Sequence, residues 1–351
     1  MRDTLLIIIL LSVAAAVLSA WLTRFFCHPG AWLQILDHPN ERSLHTCPVP
    51  RTGGIAILAA TAIFVPLLVV LFGEMLGGMG WLGGGVLLVT GISFWDDRYG
   101  LSPLARLISH IIAAAILVYG GFILEAIDLP GIGWTAPVPV MAIVSLLFIV
   151  WMLNLYNFMD GMDGFAGGMA VFGFGTFAML GGIAGHPLFT GVNLIIASAA
   201  AGFLLFNFPP ARIFMGDVGS STLGMLVAAF SLWGANDGIF RFWMALFVFS
   251  PFIVDATVTL IQRLLRGEKI WQAHKTHYYQ RLVQAGWGHR KTVLLEYAIM
   301  FGCSLTALLI MHASAIAQAV TLVAWGLLYT YLLFWISRFA GSHRASQKIL
   351  P

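Results

Sequence analysis

The stretch VPVMAIVSLLFIVWML, residues 138–153, runs directly into NLYNFMDGMDGFAGG, residues 154–168. The first part carries no charge and reads as the body of a membrane-crossing helix. The second sets Asn154, Asn157, Asp160 and Asp163 at intervals of three on the end of that helix. Polar groups at membrane depth are costly, so four within ten residues point to function rather than to chance composition.

The rest of the chain fits a membrane reading. Of 351 residues, 60% are hydrophobic and 9% charged, and mean hydropathy is +0.90. A soluble domain carries about a quarter charged residues. The 26 Phe, 12 Trp and 38 Gly suit helices in lipid, as interfacial rings and as points of close helix contact. A net charge of +3 is too small to indicate nucleic acid. Cys27, Cys47 and Cys303 form no CxxC and are odd in number, so neither a disulfide framework nor a zinc site is expected.

Apolar runs fall at about 4–22, 54–73, 78–95, 104–122, 138–157, 165–183, 189–207, 219–234, 240–264, 292–311 and 315–336. The expected fold is an all-α polytopic membrane protein of about eleven spans, forming a single domain over 1–351. The N-terminal MRDTLLIIILLSVAAAVLSAWL resembles a signal peptide, but its apolar length favours an uncleaved first span. Sixteen of the 18 Lys and Arg residues fall in loops of one side, and only Arg2 and Arg241 on the other. The positive-inside rule then puts the N-terminus outside, the C-terminus in the cytoplasm, and loops 24–53, 96–104, 157–165, 208–219 and 265–291 inside. The polar motifs all lie in those five loops, which are expected to form the active site.

Within FWDDRYGLSP, Asp96 and Asp97 are adjacent, so one carboxyl tends to hold its proton, and the pair suits cation binding or general-base work. Alone, the pair reads better as a solvated turn before a helix capped by Ser102 with Pro103 at its first position. In the opening stretch, Asn154, Asn157 and Asp160 share one arc of a helix, each step turning about 60°. Gly161 and Gly164 are expected to break the helix and turn Asp163 back towards the others. Gly164, Gly167 and Gly168 then open a helix whose N-terminus can attract phosphate. Interhelical bonding by asparagine accounts for Asn154 but not for both acids.

In ARIFMGDVGSSTLG, Asp217 stands between glycines at a helix start, with Arg212 nearby and Ser220, Ser221 and Thr222 as capping candidates. That suits a magnesium–phosphate complex, although a plain cap fits Asp217 about equally well by itself. HKTHYYQRL holds His274, Lys275, His277 and Arg281. On a helix His274 and His277 would share a face and suit zinc, but no third soft ligand is near, and the flanking cations favour an anion. A basic membrane-surface helix is a strong competitor there. Arg42, His45 and Arg51, before Gly53 and Gly54, read as a cationic loop over the other motifs. Asp255, within the ninth run, is an intramembrane acid and so a functional candidate, with no partner evident from sequence. Several hard oxygen donors and cations on one face fit a divalent metal, Mg²⁺ or Mn²⁺, together with a diphosphate and a lipid.

PNERSLHTCPVPRTGGIAI, DDRYGLSP, NLYNFMDGMDG, FMGDVGSS and HKTHYYQRL, taken in this order, resemble the motifs of the polyprenyl-phosphate N-acetylhexosamine-1-phosphate transferases, the glycosyltransferase 4 superfamily. The first and last look more like the O-antigen-initiating branch than the muramyl-pentapeptide branch. The resemblance implies an inward-facing site in a bacterial inner (plasma) membrane protein. It implies transfer from a UDP-N-acetylamino sugar to undecaprenyl phosphate, giving a lipid-linked sugar diphosphate and UMP, the first membrane step of O-antigen or surface polysaccharide synthesis. It implies Mg²⁺ (or Mn²⁺) as cofactor. A homodimer is compatible with it, and neither the oligomeric state nor the amino sugar is specified. By position, Asp96 is the implied base with Asp97 beside it, Asp217 the metal-binding acid and Asn157 an oxygen ligand. Asn154, Asp160, Asp163, Arg42, Arg51, Arg212, His274 and His277 are the implied substrate-binding residues. The muramyl branch has a lysine that contacts the nucleotide where this chain has Gly100, and Arg98, two residues earlier, is the candidate replacement.

Two other classes place acids in membrane helices. An intramembrane aspartyl protease has a GxGD element, but Phe214 stands two residues before Gly216 here. A transporter would place its acids near the midplane on broken helices, whereas these cluster at one end.

Overall fold

The computed structural model describes residues 2–39, 44, 46–73, 77–269 and 274–347. Arg42 and His45 lie outside the described residues. The helices in chain order are α1 (Arg2–Phe26), α2 (Gly53–Phe72), α3 (Met79–Tyr99), α4 (Pro103–Tyr119), α5 (Val138–Phe158), α6 (Phe165–Ala184), α7 (Pro187–Asn207), α8 (Gly216–Asn236), α9 (Phe242–Val248), α10 (Ser250–Leu265), α11 (Tyr278–Leu282), α12 (Gly288–Ile310) and α13 (Ala315–Gln347). Two short antiparallel ribbons sit in loops: β1 (Leu36–Asp37) with β2 (Val49–Pro50), and β3 (Ile127–Leu129) with β4 (Ile132–Trp134). The chain is an all-α polytopic membrane protein.

Among the described residues, eight helices are long and apolar enough to cross a membrane, or nine if α9 and α10 make one span. Every apolar run of the sequence forms helix, but the run 240–264 is not one straight segment. It bends by 80° between α9 and α10, where Pro251 removes a backbone donor at the start of α10. α4, at 17 residues, is short for a span, and the last turn of α3 holds Asp96, Asp97, Arg98 and Tyr99.

α8 is the central post. Its most apolar window is 94% buried, against 6% for α13. α5, α3 and α2 lie along α8, while α1 and α6 pack on α7. Lipid is as apolar as leucine, so association here depends on close van der Waals packing. Rings supply much of it: Phe177 stacks on Phe240 at 5.0 Å and meets Phe249 edge-on at 5.5 Å, and Phe189 meets Trp233 at 5.0 Å.

The loops at one end of this bundle hold each other. Phe214 N donates to Pro50 O at 2.7 Å, and Gly53 N returns a bond to Phe214 O at 3.0 Å. Gly164 N donates to Asn207 Oδ1 at 2.9 Å, tying the 157–165 turn to the end of α7.

Candidate active site

α8 begins at Gly216 without a capping side chain of its own. Ser220, a capping candidate by sequence, instead donates back to Gly216 O at 3.1 Å. The cap comes from α3: Asp97 accepts from Asp217 N and Val218 N, each at 3.3 Å. Exposed backbone N–H groups and the helix dipole both favour a carboxylate at that point. Gly216 makes this approach possible. Its φ is +76°, and a Cβ there would collide with Arg51 O and crowd Asp97 Oδ2. Arg51 completes the junction. Its Nη2 donates to Asp97 O, its Nε lies 3.4 Å from Asp97 Oδ1, and its Nη1 lies 3.9 Å from Asp37.

Asp96, one residue earlier, faces a different way. Its Oδ1 accepts from Leu101 N at 2.5 Å, closing the turn into α4, where Ser102 and Pro103 start the helix as the sequence indicates: Ser102 Oγ accepts from Ala105 N at 3.2 Å. Asp96 Oδ2 is buried and, among the described residues, accepts no hydrogen bond. Arg106 Nη1 lies 3.3 Å from that oxygen and 3.7 Å from Asp217 Oδ2. Asn157 donates its amide hydrogens to Asp217 Oδ1 at 2.9 Å and to Ser220 Oγ at 3.0 Å. Asn154, one turn earlier, lies 3.3 Å from His110 Nδ1 through its Oδ1.

Six of these polar groups, but neither Asp97 nor Arg51, line one cavity of about 580 Å³. At its polar end stand Asp96, Asp217, Asn157, Asn154, Arg106 and His110, and its walls include Ile92, Leu107, Leu147, Val150, Trp151 and Leu260. A long amphipathic ligand, charged at one end, matches that gradient. An anion set against two carboxylates would be repelled unless a cation stood between them.

Asp160 lies just past the end of α5. Burial, with Asp217, Asp97 and Asp37 nearby, pushes its carboxyl well above the usual carboxylate range. Asp163 does not turn back towards the others. It accepts from Ala211 N at 3.0 Å and pairs with His289 Nδ1 at 2.9 Å, because the turn is tied to the loop after α7 rather than folded onto α5. It lines a second cavity of about 570 Å³ with Phe214, Pro209, His289 and Arg290. Arg212 is exposed and lines neither cavity.

The histidines do not sit on one helical face, since His277 only caps α11 and His274 precedes it in irregular chain. Their rings still meet, with centroids 4.7 Å apart. His277 Nδ1 faces Asp255 Oδ1 at 3.2 Å. Burial first, then the neighbouring His277 and Arg263, lower His274 to about 4. Among the described residues, no three His, Cys, Asp or Glu side chains converge to hold a metal.

Sequence reasoning passed over Arg106, His110, His289 and the Asp255–His277 pair. Arg106 and His110 did carry a signal: four residues apart in α4, they share a helix face. His289 carried none.

Residues 79–235 match the glycosyl transferase family 4. A probable undecaprenyl-phosphate N-acetylglucosaminyl 1-phosphate transferase of Bacillus subtilis (strain 168) is 32% identical over 287 residues, covering 80% of this chain and 78% of that protein. The chain belongs to glycosyl transferase family 4. A decaprenyl-phosphate N-acetylglucosaminephosphotransferase of Mycobacterium leprae (strain TN) is 31% identical, with 85% of this chain and 83% of that one covered. A phospho-N-acetylmuramoyl-pentapeptide-transferase of Shouchella clausii (strain KSM-K16) is 29% identical, with 84% and 94% covered. Family 4 membership makes this multi-pass membrane protein an enzyme. The matched segment contains Asp96, Asp97, Asn154, Asn157, Asp160, Asp163, Arg212 and Asp217, while Arg51, His274 and His277 lie outside it.

Proposed function

We propose that this protein transfers an N-acetylhexosamine 1-phosphate from a UDP-sugar to undecaprenyl phosphate at the cytoplasmic face of a bacterial inner membrane, as the first membrane step of a surface polysaccharide such as O-antigen. The observation that carries the reading is the 580 Å³ cavity, acidic and basic at one end and apolar along its walls. It suits a lipid phosphate, and the names of the family 4 relatives give the partner reaction. The same membership disfavours a transporter or a protease.

A divalent cation fits the donor set. Mg²⁺ is held by one or two carboxylates and completes its octahedron with water and substrate phosphate. Asp217, which lines the cavity and whose Oδ1 accepts from Asn157, would hold it. Asn157 has its amide nitrogen engaged, so its carbonyl oxygen is the atom it would present. Bound there, Mg²⁺ supplies charge neutralisation of the diphosphate and of departing UMP.

The protein's own groups do the rest. Asp96 Oδ2, buried and without a hydrogen-bond donor, takes the proton from the lipid phosphate. The freed oxygen attacks the sugar-bearing phosphorus, and the bond from that phosphorus to the oxygen of the nucleoside phosphate breaks. Arg106 and Arg51 offset charge on the phosphates. Asn154 and His110 fix the cavity wall beside them. His277 and His274 face the donor diphosphate, and Asp160 and Asp163 border the nucleotide. The test is transfer of label from UDP-N-acetylglucosamine and a panel of other UDP-amino sugars into organic-extractable lipid. Activity should vanish with EDTA and return with Mg²⁺ or Mn²⁺. Full activity in EDTA would exclude the metal, and no labelled lipid from any donor would exclude the reaction.

A further inference from the structure

Asp255 has no place in the chemistry above, yet it is among the most completely bonded carboxylates of the chain. It sits inside α10, 7% exposed. Its Oδ1 accepts from Tyr278 N at 2.9 Å and Thr259 Oγ1 at 3.0 Å and faces His277 Nδ1 at 3.2 Å. Its Oδ2 accepts from Tyr279 N at 3.0 Å. A carboxylate buried in a membrane protein is tolerated only with such compensation. Three of the four partners, His277, Tyr278 and Tyr279, come from the segment that carries the histidine motif, more than twenty residues further along the chain.

The bonds have a directional consequence. With Nδ1 of His277 held by a carboxylate, Nε2 is the ring nitrogen left to face a substrate, and the ring plane is set. Tyr279 is anchored by the same carboxylate through its backbone. Its ring stacks on His277 at 5.8 Å and meets Phe165 at a tilt at 4.8 Å. Its hydroxyl lies where a Cβ on Gly161 would have to go, so it supports the turn that carries Asp160 and Asp163. One carboxylate therefore fixes both an imidazole and the floor of the acidic turn.

We propose that Asp255 is a positioning residue for the transfer reaction: paired with His277, it orients the imidazole towards the donor diphosphate and locks Tyr279 beneath the Asp160 turn. This rests on the transferase reading given above.

The test uses the full chain in detergent, with the UDP-sugar found active in the panel and undecaprenyl phosphate. The variants are Asp255→Asn, Asp255→Glu, His277→Gln and the double Asp255→Asn/His277→Gln. Asp255→Asn should lower kcat by about tenfold to a hundredfold, the usual effect of removing the group that orients a functional histidine. Its KM for the sugar nucleotide should change far less. Asp255→Glu, which keeps the charge, should recover part of the rate. The double variant should lose far less than the product of the two single losses, because the Asp255–His277 pair acts as a unit and only the Tyr279 anchor is lost in addition. Ser250→Ala removes a 2.7 Å bond to Tyr329 at the start of α10 and controls for loss of stability alone. Should Asp255→Asn not fold, Asp255→Glu combined with His277→Gln carries the same comparison. Multiplying losses in the double variant, or a Ser250→Ala variant equally unstable and equally slow, would overturn the proposal. A folded wild-type protein inactive with every donor would defeat the transferase reading, and this inference with it.

Discussion

Asn157 donates to Asp217 at 2.9 Å although sixty residues separate them, and this bond joins the end of α5 to the first turn of α8. It engages Asp217 Oδ1, while Arg106 faces Oδ2 at 3.7 Å. Asp217→Asn should abolish cation-dependent binding of the UDP-sugar, since an amide is a poor ligand for a hard cation. Asn157→Ala should weaken it by about tenfold, the effect of one lost bond to a charged group. Calorimetric titration of UDP-sugar with Mn²⁺ reads both, and unchanged affinity in Asp217→Asn would move the metal elsewhere.

Asp96 and Asp97 are neighbours with different surroundings, so their variants should fail differently. Asp96→Asn should retain Mn²⁺ and UDP-sugar binding but lose turnover by about a hundredfold or more, as expected for removal of a general base. Loss of binding in Asp96→Asn would instead make it a metal ligand.

Asp97 caps α8 and receives Arg51. Asp97→Ala should therefore destabilise the fold, by about 2 kcal/mol from the lost cap and its charged hydrogen bonds. A melting temperature lowered by roughly 5 °C, measured by tryptophan fluorescence in detergent, is the expected outcome. An unchanged melting temperature with lost activity would place Asp97 in the chemistry.

His274 is held at about 4 by burial, then by the neighbouring His277 and Arg263, below the ordinary histidine value near 6.5. The unfolded chain takes up this proton more readily than the folded one. Its contribution is thus present above about pH 6.5 and is lost as the pH falls towards 4. The ring is partly exposed, so solvent screening cuts the effect to roughly 1 kcal/mol. Melting temperature should fall between pH 7.5 and pH 5, and His274→Asn should flatten that slope.

Orientation is testable with impermeant thiol reagents on intact cells. In a chain carrying Cys27→Ser, Cys47→Ser and Cys303→Ala, a cysteine at Thr135 should label from outside, and one at Arg266 only after lysis. Both positions are exposed. The reverse pattern would put the cavity's polar end on the other face and contradict a cytoplasmic UDP-sugar site.

The amino-acid sequence by itself determined the membrane class and the places where helices form. Lipid demands long uncharged runs with every backbone group bonded within the helix, and that demand is written locally. The Ser102–Pro103 helix start was legible for the same reason, because a cap lies within one turn of what it caps. Tertiary structure alone decided which groups meet. It turned Asp97 onto a helix 120 residues away, drew Asp163 to His289 and a second cavity, placed Arg106 between Asp96 and Asp217 and gave Asp255 its partner in His277. Each is a pairing between distant segments, fixed by how the helices pack around α8. No periodicity in the chain encodes such a pairing, because a side chain's partner is chosen by the space it is folded into.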